Sequence, residues 1–186
     1  MPLTGGRTLV WSKRTDEVPV KDVKLVELLH PEAVIPDLAG QTTDAVLAEL
    51  CRPLARDSRL DGRYLFEALA EREKRGSTGM GEGVAIPHAR IGGLATMTAS
   101  FGRSRVGIDF GSFDGKPVHF FFALFTPQDK VGIRMVGVQI CGIHVKALAR
   151  ISLVLKEPTF RGALLQARDA GQIHRLIAER DLKGTP

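Results

Sequence analysis

The chain has 186 residues, of which 44% are hydrophobic and 25% are charged, with a formal net charge of +5. This composition excludes a disordered chain, a collagen-like fibre and a disulfide scaffold. The length predicts one globular domain. Basic residues are scattered in short groups, such as residues 103–105, which are typical of solvated surface. Because no basic and aromatic residues alternate, we do not expect nucleic-acid binding.

The cysteine and apolar patterns point to a cytoplasmic protein. Cys51 and Cys141 form no CxxC pair and no cluster with histidines, so we expect two reduced thiols and no metal site. The longest apolar run, residues 120–125, is far shorter than the roughly 20 residues that cross a membrane. The N-terminus shows no secretory signal. We therefore expect no membrane insertion.

The chain divides into a short extension and one domain. Residues 1–20 mix glycine, proline and charges, and they predict a flexible extension, although Leu9, Val10 and Trp11 form an apolar group that could dock elsewhere. Residues 21–182 carry the periodic patterns of a folded domain.

Helical and extended patterns alternate along this domain. Helices are predicted over residues 23–29, 44–56, 62–74, 144–156, 158–168 and 169–180. Strands are predicted over residues 33–38, 84–89, 96–102, 108–110 and 118–125. The last strand is almost continuously apolar, as in a central strand buried on both faces. Asp61 suits the N-cap of the third helix. Helices flanking strands predict an α/β class, with a single three-layer α/β/α domain around a central mixed sheet.

The segment whose residue types could bind a ligand or carry out a reaction is residues 76–88, GSTGMGEGVAIPH. Its four glycines and two small hydroxyl residues allow backbone N–H groups to approach a ligand, as in many anion-binding loops. Pro87 holds the residue before it extended and aims His88 from the end of a short strand. A neutral imidazole can attack phosphorus at neutral pH, and arginines such as Arg72 and Arg90 match phosphate oxygens. The residues alone also leave open a tight connection beside a buried histidine.

Other nucleotide and hydrolase motifs fit this segment less well. A P-loop needs Lys followed by Ser or Thr after its glycines, and none is present. A dinucleotide fingerprint needs a strand before and a helix after, whereas here the order is reversed. A catalytic triad stays open, although no GxSxG motif supports one.

The same segment resembles the active-site signature of enzyme IIA domains of the fructose, mannitol and nitrogen-regulatory type. These domains belong to the bacterial phosphoenolpyruvate-dependent phosphotransferase system. The preceding residues 72–74 (REK), residues 144–149 (HVKALA) and residues 155–161 (LKEPTFR) also resemble that family. The resemblance covers about residues 22–180.

The resemblance implies a phosphohistidine carrier. His88 would be phosphorylated transiently by a small histidine-containing phosphocarrier protein. His144 would lie beside it and orient the phosphoryl group, Arg72 would be the active-site arginine, and Glu82 would be a supporting carboxylate. We also expect His144 at a helix N-terminus, whose positive end would face the anion. The predicted phosphate-binding loop consists of Ser77, Thr78, Gly79, Gly81 and Gly83. No metal and no cofactor are expected.

The acceptor and the docking surface are less specified. The resemblance implies an enzyme IIB or a regulatory target protein, and we favour the nitrogen-regulatory role over fructose or mannitol transport. A regulatory module that has lost phosphotransfer is a further alternative, suggested by the long apolar segment 128–143. An apolar patch around His88 is expected to include Met80 and Met97. We expect His119 to be structural and His174 to lie on the surface.

Overall fold

Six helices and six strands form the described part of the chain, residues 23–57, 61–128 and 137–183, in this computed structural model. The helices are α1 (Leu25–Leu28), α2 (Thr43–Asp57), α3 (Gly62–Lys74), α4 (Gly137–Leu155), α5 (Pro158–Gln166) and α6 (Ala170–Leu182). The strands are β1 (Leu29–Ile35), β2 (Gly79–Gly81), β3 (Val84–Ala85), β4 (His88–Ile91), β5 (Thr98–Ile108) and β6 (Val118–Pro127). The extension predicted over residues 1–20 lies outside the described residues, so that prediction stays untested. Residues 129–136 of the long apolar segment 128–143 also lie outside them, and the loss of phosphotransfer that this segment suggested stays untested as well.

The strands form one mixed sheet in the order β1-β5-β6-β3-β2, with β4 also paired to β6. β1 runs parallel to β5, β5 runs antiparallel to β6, and β3 and β4 both run parallel to β6. Helices α2 and α6 contact β1, and α4 contacts β6. The predicted mixed sheet with flanking helices is confirmed.

Strand β6 is the centre of the core. Its four phenylalanines are at most 2% exposed, although their side chains point alternately to opposite faces of the sheet. Phe121 packs edge-on against Phe110 with ring centroids 5.2 Å apart, and Phe122 packs edge-on against Phe101 at 6.1 Å. Both faces of the strand are therefore covered, as its continuous apolar sequence predicts.

The strand predicted over residues 84–89 is two strands along one edge of β6. Val84 pairs with Phe120, and pairing resumes where His88 is opposite Leu124. Between them Pro87 has no N–H to donate, but its carbonyl accepts from the Leu124 N–H at 2.8 Å. The interruption places His88 at the start of β4, with its backbone fixed in the sheet.

Most helix predictions are confirmed, and the strand boundaries need correction. Asp61 caps α3 by accepting from the Arg63 N–H, as predicted. Strand β1 begins earlier than predicted and ends before Pro36. The two strands predicted over residues 96–102 and 108–110 are the single strand β5, because an irregularity in its pairing with β6 absorbs the intervening residues.

The interpretation of residues 103–105 as solvated surface is wrong for Arg103, whereas the side chain of Arg105 is about half exposed. The Arg103 side chain is fully buried and lies 3.2 Å from the Asp37 carboxylate. Its guanidinium also donates to the carbonyls of Pro36, Leu164 and Ala167 at 2.7–2.8 Å. The charge can be buried because carbonyl and carboxylate oxygens accept its N–H groups.

Two further expectations concern membrane-spanning helices and the cysteine thiols. None of the helices in the described part of the chain combines the length and hydropathy needed to cross a bilayer. Cys51 is a free thiol in α2, and burial raises the pKa of that thiol to about 12, so it stays protonated and unreactive.

Candidate active site

His88 is held in one tautomer by two neighbours. Its Nδ1 lies 2.9 Å from the Ile86 carbonyl oxygen, and its Nε2 lies 3.1 Å from Nε of Arg72. A carbonyl oxygen only accepts and a guanidinium only donates. Nδ1 therefore carries the proton, and Nε2 directs its lone pair at Arg72. The half-buried ring is neutral, with Nε2 as its nucleophilic atom.

The surroundings of His88 favour this neutral form. Burial lowers the pKa of His88 below its ordinary value, and the positive charge of Arg72 lowers it further. The Ile86 carbonyl and the Glu73 carboxylate act in the opposite direction without overcoming burial. The imidazole consequently keeps its lone pair at neutral pH and below.

Arg72 joins the end of α3 to the loop that follows. It lies in the last turn of the helix, where its Nη1 donates to the Gly76 carbonyl at 2.9 Å while its Nε faces His88. One planar guanidinium thus hydrogen-bonds both to the first residue of the loop and to the imidazole of His88. The structure therefore brings together His88 and Arg72, as expected from the sequence.

His144 also lies at this site, although not where the helix prediction placed it. Its ring centroid is 5.3 Å from that of His88, with the planes tilted by 58°. Helix α4 begins at Gly137, so His144 lies about two turns inside it rather than at its N-terminus. The proposed contribution from the helix dipole is wrong, because that effect is confined to the first turn.

The pKa of His144 is strongly lowered. Burial, followed by electrostatic repulsion from His88 when that ring is protonated and from Arg90 and Arg72, lowers it to about 4. Its Nδ1 is buried and has no hydrogen-bond partner within the described chain. His144 is therefore a neutral ring at physiological pH, with one polar atom available for a ligand.

This lowered pKa predicts a dependence of stability on pH. The unfolded imidazole binds a proton near pH 6.5, whereas the folded one resists it until about pH 4. Below pH 6.5 the unfolded state therefore binds more protons, and the unfolding free energy should fall by at most about 1.4 kcal/mol per pH unit down to about pH 4. Above pH 6.5 this contribution is fully present.

Urea unfolding of the wild type and of His144→Gln at several pH values would measure this effect. The wild-type curve should fall more steeply between pH 6.5 and 4 than the variant curve. Parallel curves would contradict a lowered pKa at His144.

Two cavities meet at His88 and Arg72. One, of about 460 Å³, is lined by arginines, among them Arg75 and Arg90, together with His144. Its carboxylate, Glu71, lies 3.2 Å from Arg75. The other cavity, of about 430 Å³, has mainly apolar walls that include Met80 and Val145. His88 therefore lies between a cationic space and an apolar space, hereafter the cationic cavity and the apolar cavity.

The expected apolar patch is present in part. Met80 is 45% exposed and lines the apolar cavity. Met97 packs against the hydrophobic core and lines neither cavity at His88.

The glycine-rich loop does not present a set of open amides. The Thr78 N–H and hydroxyl donate to the Glu73 carboxylate at 2.7 and 2.6 Å, and the Gly81 N–H donates to the Ser112 hydroxyl at 3.0 Å. The Gly79 N–H donates to the Ser77 hydroxyl. The prediction of an amide cradle around a phosphate is therefore wrong for these groups, because side chains of the protein already accept from them.

The loop residues nevertheless differ in their distance from the site. Ser77, Thr78 and Gly79 line the apolar cavity beside His88. Gly81 and Gly83 line neither cavity at His88, and their φ angles of 81° and 78° are ones that glycine adopts readily. They shape the turn between β2 and β3 rather than contacting the imidazole.

Glu82 lies in that turn and is not brought to His88. Its carboxylate is 65% exposed and lies 3.0 Å from Nη2 of Arg161. Both side chains line a third cavity, of about 320 Å³, that does not include His88. The positive φ of 53° at Glu82 turns the chain here and is unusual for a residue with a side chain.

Glu73 is a neighbour of the site that the sequence analysis did not single out. It holds Thr78 by two hydrogen bonds and acts electrostatically on His88. A carboxylate in the last turn of a helix, five residues before a small hydroxyl residue, was the available signal. Such a carboxylate would otherwise oppose the helix dipole, so its position indicates a specific partner.

Of the two predictions for histidines away from the site, the one for His119 is confirmed and the one for His174 is wrong. Nδ1 of His119 lies 2.9 Å from the Ser104 carbonyl, which confirms a structural role. His174 is half-buried rather than on the surface, and its Nε2 lies 3.0 Å from the Leu29 carbonyl.

Comparison with known proteins identifies the class to which this fold and site belong. Residues 27–180 match the family described as "Phosphoenolpyruvate-dependent sugar phosphotransferase system, EIIA 2". The chain therefore belongs to the type 2 enzyme IIA family of the phosphotransferase system, as its signature indicates.

Individual relatives come from both branches of this family. The chain is 36% identical over 154 residues to a nitrogen regulatory protein of Bradyrhizobium diazoefficiens, covering 83% of this chain and 94% of that protein. It is 31% identical over 160 residues to the fructose-specific EIIABC component of Bacillus subtilis, covering 86% of this chain and 24% of that protein. The crystal structure of nitrogen regulatory protein IIA-Ntr from Neisseria meningitidis superposes with a TM-score of 0.72 at 30% identity, covering 82% of this chain and 97% of that one.

Proposed function

We propose that His88 carries a phosphoryl group, which it accepts from a histidine-containing phosphocarrier protein. The observation that supports this role is the lone pair of Nε2 on a neutral His88 ring, placed where the cationic and apolar cavities meet. The cationic cavity suits the transferred anion, and the apolar cavity suits the surface of a protein donor.

The transfer exchanges one P–N bond for another. Nε2 of His88 attacks the phosphorus of the donor's phosphohistidine, and the donor imidazole leaves with the electron pair of the broken P–N bond. Positive charge develops on the His88 ring during attack, and the Ile86 carbonyl stabilises it through the Nδ1 proton. The work of the protein is positioning and charge neutralisation around a loose transition state.

Arg72 has two functions in this step. In the unphosphorylated protein its Nε–H donates to the His88 lone pair, and during transfer the same N–H is free to follow the incoming phosphoryl oxygens. Its bond to the Gly76 carbonyl holds the guanidinium in place meanwhile. A guanidinium already held beside the developing anion needs little reorganisation beyond this exchange of one hydrogen-bond acceptor.

His144 serves as a neutral positioning group. With a pKa of about 4 it is uncharged at neutral pH, so it stabilises the phosphoryl group by hydrogen bonding rather than as a cation. The unpartnered Nδ1 is the atom that a phosphoryl oxygen would satisfy when that nitrogen carries the proton.

For the onward step we favour regulation of target proteins in the nitrogen branch. The nitrogen regulatory relative is the more similar of the two curated proteins, at 36% against 31% identity. Sugar transport through an enzyme IIB is the alternative, and the fructose-specific relative favours it. A phosphotransfer-inactive module is disfavoured because the His88–Arg72 pair is intact.

The proposal is tested by locating the transferred phosphoryl group. The full chain should take up ³²P from labelled phosphocarrier protein, and NMR of the product should show phosphorus on Nε2 of His88. Phosphorus on Nδ1 or on another residue would contradict the mechanism. Rapid transfer of the label to a fructose-type enzyme IIB would favour sugar transport over the regulatory role.

A further inference from the structure

A further solvent-facing cavity, distinct from the three described above, lies where the described chain begins. This cavity, of about 550 Å³, is lined by α4, by α6 and by the first described residues, Val23 and Lys24. Leu153 and Leu182 on its walls are 45% and 66% exposed. Because Val23 is itself a wall, the chain that precedes it leaves from the rim of this cavity.

Helix α4 joins this cavity to the active site. Val145, Ala149 and Leu153 follow one another at intervals of four residues, so they lie in a row on one face of the helix, here called the α4 row. All three are exposed. Leu153 lines the cavity at Val23, Val145 lines the apolar cavity at His88, and Ala149 lines both. The row is an apolar path about 12 Å long from one space to the other.

Twenty-two residues precede Val23, and they contain a matching apolar group. Leu9, Val10 and Trp11 are consecutive, and Trp11 is the one tryptophan of the chain. Trp11 lies twelve residues before Val23, which gives a reach of about 40 Å when the chain is extended. That reach exceeds the length of the α4 row, so Trp11 can arrive at its far end.

We propose that residues 9–20 of the chain dock along the α4 row and place Trp11 at the apolar cavity beside His88. The docked segment covers the surface that a phosphoryl donor would approach, so it acts as an intramolecular competitor. That consequence rests on the proposed function, whereas the docking itself does not.

Trp11 provides the test, since its fluorescence reports on one site in the unlabelled full chain. Docking should shift its emission to shorter wavelength and reduce acrylamide quenching severalfold relative to the chain unfolded in urea. Val145→Glu and Leu153→Glu place charge on the α4 row, and each should restore the exposed values. Val106→Glu is the matched control, because Val106 is 82% exposed on β5 and lines none of the three cavities involved.

The contrary outcomes are equally distinct. Exposed emission in the full chain, or protection that survives both α4 substitutions, would overturn the proposal. Protection that depends on protein concentration would place the segment on a second copy of the chain and would also overturn it. None of these readouts uses phosphotransfer, so they stand apart from the test of His88.

Discussion

Replacing His88 with alanine is expected to reduce phosphoryl acceptance to background. The substitution removes Nε2, whose lone pair lies at the junction of the cationic and apolar cavities. Labelled transfer from the phosphocarrier protein measures the effect directly. Circular dichroism of the same preparation would show that the loss does not come from unfolding.

Two further histidine variants make this result specific. His30→Ala removes an exposed ring whose Nδ1 accepts from the Glu32 N–H, and it should label at the wild-type rate. His144→Ala keeps the acceptor nitrogen, so labelled product should still form, but more slowly. Undiminished labelling of His88→Ala would show that another residue is the acceptor.

Replacing Arg72 with alanine is expected to lower the rate of phosphoryl transfer by about 100-fold or more, as for loss of one preorganised donor in an active site. Arg72→Lys should recover little of it, because lysine keeps the charge but not a planar group that reaches both His88 and the Gly76 carbonyl. Single-turnover transfer to the unphosphorylated protein would measure the rate.

A second readout separates this role from a structural one. The charge of Arg72 lowers the pKa of His88, so that pKa should rise in Arg72→Ala, as followed by NMR titration of the ring. Arg63→Ala is a suitable control, because Arg63 is exposed and pairs with Glu67 on the same helix. An unchanged transfer rate in Arg72→Ala would contradict the mechanism.

The sequence was most informative where the site is local. His88 and Arg72 lie within one helix–loop–strand unit, so residue types marked both as candidates, and the family resemblance selected Arg72 as the partner that the structure places at His88. The loop between them was less predictable. Its amides are occupied by side chains such as Ser112, some thirty residues further along the chain, which no local pattern reveals.

The position of His144 within its helix and the burial of Arg103 could not be predicted from the sequence, because both depend on more distant residues. His144 was placed at the site by family resemblance, but its position inside α4 depends on glycine-containing residues that continue the helix upstream. Arg103 is typical of a surface residue by type, and it is buried because carbonyls from two distant segments surround it. Such contacts arise from tertiary packing rather than from periodicity.

The pairing of His88 with Leu124 has a kinetic consequence. A nucleophile whose backbone is hydrogen-bonded into the middle of a sheet edge has no hinge on which to swing from one protein to another. If His88 also passes its phosphoryl group on, as in the enzyme IIB alternative of the proposed function, donor and acceptor must bind at the same position in turn, and each should act as a competitive inhibitor of the other. Steady-state exchange should follow a ping-pong pattern, with parallel double-reciprocal plots.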